Sequence, residues 1–434
     1  MAMAACGLSV RRACLPERND SLCRAETPRM VTLNGGVNLE KLQHLKARIC
    51  SFENLYAAYQ EAAKEKHYRE DVLLFTFNLE DNLLDLQRDL ENETYVVGPY
   101  REFYVRYPKP RLIMALGFRD RVVQWAIYRQ LNPYADKRFI QHSYGCRKGK
   151  GTLPAAQCLL KWVQLASRKP DAKDWVIIKC DVSKYFYRVD HDVALDIYRE
   201  YTEDEWFLRL MHTILNNPDV PFGLPPGASA DNCPKEMRLY DVGMPIGNLT
   251  SQETANIYLN TLDQYCKHVL KLHFYVRYMD DFCIVIKGRE EAEAILALID
   301  AFLREALHLD LSPKSQIIPV TQGCEFVGYR VSPHGLRLRK KTIDHMKSSL
   351  LHIAELYALD IITLESAMQS VQSYLGMTVH CKAHTVRRWI EDHIVFVRGG
   401  IPAAEGEIVY EYVSQRDQLA ARSSPEEALY HCTA

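Results

Sequence analysis

Apolar positions begin to recur at helical spacing near Leu39. They keep that period through LEKLQHLKARICSFENLYAAYQEAAKEK and again through LEDNLLDLQRDLENE. The pattern then changes. YREFYVRYPKPRLIMAL reads as strand, with Pro108 and Pro110 flanking a bend. DRVVQWAIYRQLNPYADKRF predicts a helix ending near Asn132–Pro133, because proline lacks the N–H that a helix interior needs. SYGCRKGKGT is a basic, glycine-rich loop, and Thr152 is a candidate cap for the helix TLPAAQCLLKWVQLA.

WVIIKCDVSKYF is an apolar run that predicts a buried strand entering a polar turn. HDVALDIYREY, EDEWFLRLMHTILN, LTSQETANIYLNTLDQYCKHVL and REEAEAILALIDAFLREAL carry helical periods. Residues 217–243, rich in Pro, Gly and Asn, read as a long loop or insertion. FYVRYMDDFCIVI predicts a strand, a two-residue acidic turn and a strand, and CEFVGYRVSPHGLRLRK predicts a hairpin. From residue 342 to about Val397 the chain is mainly helical. The last residues are weakly patterned, as mobile termini are. Helices, a basic hairpin, strands that end in carboxylates and a helical end together predict an α+β fold.

At 434 residues the chain is long enough for two or three subdomains, and 47% hydrophobic with 25% charged residues is a globular composition. The formal net charge of -1 argues against a uniform nucleic-acid-binding surface, but the charge is unevenly distributed. Residues 99–150 hold 12 Lys or Arg against 3 Asp or Glu, whereas residues 401–434 hold 2 against 6. The 13 cysteines include no C-x-x-C pair, which argues against a zinc knuckle. The first residues lack a long apolar core with a cleavage site, and no membrane span is legible. A cytoplasmic protein with reduced thiols is expected.

The candidate chemistry is acidic. Asp181 closes the apolar run Trp175–Cys180, and Asp280 and Asp281 separate two further apolar runs. Two aspartates at a hairpin tip could be an ordinary turn. Three carboxylates on neighbouring strand ends would instead repel one another and call for cations. Oxygen-only ligands favour Mg²⁺, with Mn²⁺ as a substitute. Two such ions can activate an attacking hydroxyl and stabilise a leaving pyrophosphate oxygen.

These residues also carry a resemblance. Tyr278-Met279-Asp280-Asp281 resembles the YxDD box of reverse transcriptases. Asp181 in KCDVSKYFYRVDHDVAL resembles their first catalytic aspartate, and CEFVGYR (324–330) resembles the primer-grip hairpin. KPRLIMALGFRDRVVQWAI and SYGCRKGKGT are similar to fingers motifs of bacterial group II-like enzymes. The matches run in order over roughly residues 95–345.

The resemblance implies a right-hand polymerase fold with fingers, palm and helical thumb. Residues 1–40 would be an N-terminal extension, 41–170 fingers with part of the palm, and 171–334 palm with an inserted loop at 217–242. Residues 335–400 would be thumb and 401–434 an acidic tail. It implies metal ligation by Asp181 and Asp280, helped by the Val182 carbonyl, with Asp281 secondary. Phe186 would be a steric gate against a ribose 2′-hydroxyl. Lys109 and Arg111 would meet the triphosphate, and Lys314 would lie near the pyrophosphate. Arg147, Lys148, Lys150, Gln252, Gly328, Arg337, Arg339 and Lys340 would line the path of template and primer.

GMPIGNLTSQETANIYLN (243–260) narrows the resemblance. Many reverse transcriptases have Pro-Gln-Gly where this chain has Pro245-Ile246-Gly247. The pattern is similar to that of diversity-generating retroelement enzymes. Those copy a template RNA into cDNA with frequent errors at adenines and work with a small basic helical protein that forms a pentamer. An antiphage-defence or retron-like reverse transcriptase remains an alternative. A catalytically inactive nucleic-acid-binding protein is another, which the intact aspartates oppose.

Overall fold

The computed structural model describes residues 40–105, 111–216, 221–225, 227–228, 233–402 and 408–413; for 399–402 and 408–413 it describes the backbone. The first helical period conceals a break. Helices α1 (Leu45–Cys50) and α2 (Phe52–Ala63) part at Ser51, whose hydroxyl accepts the Asn54 N–H at 3.2 Å. Such a cap satisfies a donor that the new helix would leave unpaired. Helices α3 (Glu70–Phe77) and α4 (Leu79–Glu91) lead to the antiparallel hairpin of β1 (Arg101–Val105) and β2 (Arg111–Ala115).

Helix α5 (Phe118–Arg138) corrects the expected stop at Pro133. Its last turn is held by tertiary contacts. Ala135 is fully buried, and the Arg138 guanidinium lies over the rings of Tyr134 and Tyr201 and donates to the Glu200 carbonyl at 2.7 Å. These contacts offset the hydrogen bond that proline removes. Helix α6 (Thr152–Ser167) begins at Thr152 itself. Gly151 holds the cap position at a φ of 129°, a conformation that glycine tolerates, so Thr152 is not the cap.

The centre is a four-stranded antiparallel sheet. Strand β3 (Trp175–Asp181) is followed by α7 (His191–Arg199), α8 (Glu205–Leu215) and α9 (Leu249–Gln264). Then come β4 (Tyr275–Tyr278), β5 (Asp281–Lys287), α10 (Arg289–Leu307) and β6 (Gln316–Pro319). The spatial order is β4-β5-β3-β6. Alternate residues of β3 serve two cores. Val176, Ile178 and Cys180 join the helical core of α1–α5 and α7–α10, while Trp175 and Ile177 join a second core with α6 and the C-terminal elements. Burial on both faces explains why Trp175–Ile178 is continuously apolar.

The expected hairpin near residue 330 is a three-stranded meander, β7 (Cys324–Phe326), β8 (Tyr329–Ser332) and β9 (Gly335–Leu338). Helices α11 (Lys340–Ala358), α12 (Leu364–Val379) and α13 (His384–His393) follow. The chain then becomes extended. Strand β10 (Phe396–Pro402) pairs antiparallel with β11 (Ile408–Val413), so part of the expected tail forms backbone structure, whereas residues 414–434 lie outside the described residues. The fully buried Phe396, edge-on to Tyr357, anchors the first strand. Residues 1–39 are likewise not described. Among the described residues no helix is long and apolar enough to cross a membrane, and the cysteines are free thiols.

Candidate active site

Strand register brings the acidic residues together. Asp181, the last residue of β3, pairs with Asp281, the first of β5, and Asp281 also pairs with Tyr278 of β4. The turn between β4 and β5 is Met279–Asp280, not the two aspartates. Met279 takes a φ of 54°, and the Asp280 carbonyl accepts the Val182 N–H at 3.2 Å. On the other side of β3, the Asp181 carbonyl accepts the Ser312 N–H at 2.7 Å. Two apolar strands thus end in carboxylates at one edge of the sheet.

Burial raises the Asp281 carboxyl to about 7, and the charges of Asp181 and Asp280 add to the rise; Lys179 and the Val327 backbone oppose it. Its Oδ1 is buried without a hydrogen-bond partner. An orphaned carboxylate oxygen beside two more carboxylates fits a hard divalent cation by charge and donor type. Among the described residues, no three His, Cys, Asp or Glu side chains are gathered as a ready metal group. The fit is one of chemistry at adjoining backbone positions, without a closed set of ligands.

The residues expected to meet a nucleotide fall around this edge. Phe186 is half-buried after β3. Its ring is 5.6 Å from that of Tyr185, and its carbonyl accepts the Met244 N–H at 2.6 Å. Two residues on, Ile246 packs against a small apolar cluster of Leu112, Met114 and Phe222, with Tyr187 beside it. The Ile246 carbonyl accepts the Met114 N–H at 3.0 Å. This bond ties the Gly243–Gly247 segment to β2, whose exposed first residue is Arg111. Lys314 is exposed on the loop that Ser312 fastens to Asp181. Lys109 lies outside the described residues.

The basic residues divide by role. Arg147 is an internal brace. Its guanidinium donates to Asp136 at 2.6 Å and to the carbonyls of Ile140 and Ser143 at 2.8 and 2.9 Å. Lys148 is exposed, while Lys150 donates to the Gln141 carbonyl at 2.8 Å and lies over the Tyr144 ring. Gln252, near the start of α9, meets Cys146 of the same loop at 3.6 Å. Gly328 occupies the β7–β8 turn at a φ of 89°, next to Val327, whose backbone reaches Asp281. Arg337 is exposed across from Arg330, Arg339 precedes α11, and Lys340 is its exposed first residue.

The described parts of the 217–242 insertion fold back on the turn after β3. Leu224 N–H donates to the Tyr187 carbonyl at 3.1 Å, and Gly243 N–H to that of Val189 at 2.7 Å. Sequence reading overlooked Arg277, Asp263 and Asn256, polar residues buried beneath the acidic turn. The available signal was a charged residue inside the apolar run of β4, next to Tyr278.

Comparison with known proteins adds to this geometry. Residues 106–331 match the family described as "Reverse transcriptase (RNA-dependent DNA polymerase)". Protein YkfC of Escherichia coli strain K12 is 26% identical over 282 residues, covering 57% of this chain and 70% of that protein. The "Putative COX1/OXI3 intron 2 protein" of Saccharomyces cerevisiae is 23% identical over 295 residues, covering 57% of this chain and 33% of that longer protein. A solved telomerase from Candida albicans, in complex with a fragment of telomeric RNA, aligns at 12% identity and a TM-score of 0.41. That alignment covers 74% of this chain and 60% of the telomerase chain.

Proposed function

The chain belongs to the reverse transcriptase (RNA-dependent DNA polymerase) family and is an enzyme of that type; we propose that it makes error-prone cDNA from a template RNA in a diversity-generating retroelement. One observation carries the chemistry: Asp181 and Asp281 face each other across β3 and β5 with Asp280 in the adjoining turn. In this reading residues 41–170 are fingers with part of the palm, 171–334 the palm and 335–400 the thumb.

Asp181 and Asp280, with the Val182 carbonyl, would hold two Mg²⁺ ions, and Asp281 would support them. When bound, the ions supply charge neutralisation for the attacking hydroxyl and the leaving pyrophosphate. The protein residues orient the reactants. Arg111 offers a forked donor to phosphate oxygens, and Lys314 a point charge near the same edge. The Phe186 ring crowds a 2′-hydroxyl. Gly328, Arg337, Arg339 and Lys340 follow the primer strand, and Lys148 and Gln252 the template.

The retroelement assignment rests on Ile246. A glutamine amide could hydrogen-bond a nucleotide sugar, whereas Ile246 offers only apolar contact. A hydrogen bond is worth ~1 kcal/mol and a tenfold rate ratio ~1.4 kcal/mol, so its loss raises misincorporation by roughly an order of magnitude if right and wrong pairs use it unequally. The adenine preference is carried over from the resemblance.

Primer extension on RNA with all four bases tests both levels. Asp280→Asn should abolish dNTP incorporation with Mg²⁺ or Mn²⁺, and equal activity would sink the polymerase site. Wild-type errors should cluster opposite adenines, and Ile246→Gln should make roughly tenfold fewer. High wild-type fidelity, or errors indifferent to adenine, would favour the defence or retron-like alternative.

A further inference from the structure

Arg277 is the largest of the fully buried side chains among the described residues. A buried guanidinium is costly without a partner, and Asp263 of α9 provides one. Nε donates to Asp263 Oδ1 at 2.7 Å and Nη2 to Oδ2 at 2.6 Å, with both side chains inaccessible to solvent. The Tyr275 hydroxyl donates to the same carboxylate at 2.7 Å. Neutralising the charge requires nothing more, yet the guanidinium reaches further. Nη1 donates to the Met279 carbonyl at 3.0 Å and to Asn256 Oδ1 at 3.4 Å, and Nη2 donates to Ser143 Oγ at 3.2 Å.

The backbone of Arg277 completes the web. Its N–H donates to the His142 carbonyl at 3.0 Å, and its own carbonyl accepts the Tyr144 N–H at 2.9 Å. Asn256 Nδ2 donates to the Gly145 carbonyl at 2.8 Å. Gly145 lies so close to the turn that a Cβ there would be 2.8 Å from the Met279 nitrogen and 2.7 Å from its Cγ. The residue held from both sides is the one at a φ of 54°, immediately before Asp280. A backbone conformation of that kind persists only where the surroundings over-determine it.

We propose that Arg277, oriented by Asp263 and Asn256, is a positioning residue for polymerisation: it fixes the Met279–Asp280 turn so that Asp280 and Asp281 meet Asp181. It touches no substrate and acts through the Met279 carbonyl. The proposal rests on the assignment of these three aspartates to nucleotidyl transfer. An inactive wild type, or an active Asp280→Asn, would sink that assignment and the proposal with it, whereas the Arg277 and Asn256 variants can sink the role of Arg277 alone.

The test uses the full chain on an RNA template with a DNA primer, titrating Mg²⁺. Arg277→Lys keeps the charge beside Asp263 but cannot also span Met279, Asn256 and Ser143. Asn256→Ala leaves the ion pair intact and cuts the link to Gly145. Misplacement of a reacting group by ~1 Å can cost roughly a hundredfold in rate, so Arg277→Lys should lower kcat by about tenfold to a hundredfold and Asn256→Ala by a few fold. Both should raise the Mg²⁺ needed for half-maximal rate while duplex affinity and KM for dNTP stay within about threefold. Folded variants with wild-type kcat and Mg²⁺ requirement would overturn the proposal. If Arg277→Lys does not fold, Asn256→Ala decides by the same readout. If neither folds, the web serves folding and the proposal is overturned.

Discussion

Between about pH 4 and pH 7, Asp281 holds in the folded chain a proton that the unfolded chain has released. Its carboxyl is raised by burial, and then by Asp181 and Asp280, to about 7, against about 4 for a free aspartate. Between those values the native state binds more protons, so its contribution to stability falls as pH rises through that window. Asp281→Asn should flatten this slope in thermal melts without metal. A divalent cation takes the place of the proton, so Mg²⁺ should raise Tm more near pH 8 than near pH 5.5. A Mg²⁺ effect that does not grow with pH would remove Asp281 from the metal's surroundings. Phe186 allows a second test at this scale. The backbone is pinned through its carbonyl by Met244, so Phe186→Ala should open space without moving the chain. The preference for dCTP over rCTP should fall by at least about tenfold, as for the loss of one steric contact worth ~1.4 kcal/mol. Unchanged discrimination would leave the ring as packing only.

Within the loop between α5 and α6, neighbouring basic residues do different jobs. Arg147 is almost enclosed and ties the loop to the end of α5 through Asp136 and two carbonyls. Lys148 is exposed. Arg147→Ala should therefore destabilise the fold by about 2 kcal/mol, the scale of a hydrogen-bonded charge lost from a semi-buried site. Lys148→Ala should leave Tm unchanged and reduce the salt slope of template binding by about one. The reverse pattern in melting and salt-titrated binding would exchange the two roles. The meander β7–β9 shows a related division. Phe326, Val331, Leu336 and Leu338 face the core, whereas Arg330 and Arg337 pair across strands on the open face.

For the molecule as a whole, charge distribution matters more than total charge. A chain of net charge -1 has weak long-range attraction for RNA, yet its basic stretch carries 12 Lys or Arg within residues 99–150. Template affinity should fall steeply with salt, as counterion release dictates. A small basic helical partner should lengthen cDNA, raise template affinity and steepen that salt dependence by adding phosphate contacts. Long, template-specific cDNA from the enzyme alone, with no gain from such a partner encoded nearby, would count against the partnership.

Local periodicity determined much of this molecule before folding is considered. The helices α7, α8 and α10 follow from their 3.6-residue period. Strands β3 and β5 follow from apolar runs that end or begin at aspartate, because side-chain direction along one element is a property of the backbone. The acidic edge was legible for the same reason. Its register was not. That Asp281 rather than Asp280 faces Asp181 depends on pairing between strands about a hundred residues apart. Packing against Tyr201 carried α5 through Pro133, and internal carbonyls drew Arg147 away from the surface. Burial against α9 made Arg277 the brace of the acidic turn. In each case the deciding energy is desolvation or a contact between distant segments, and such terms have no period to read along the chain.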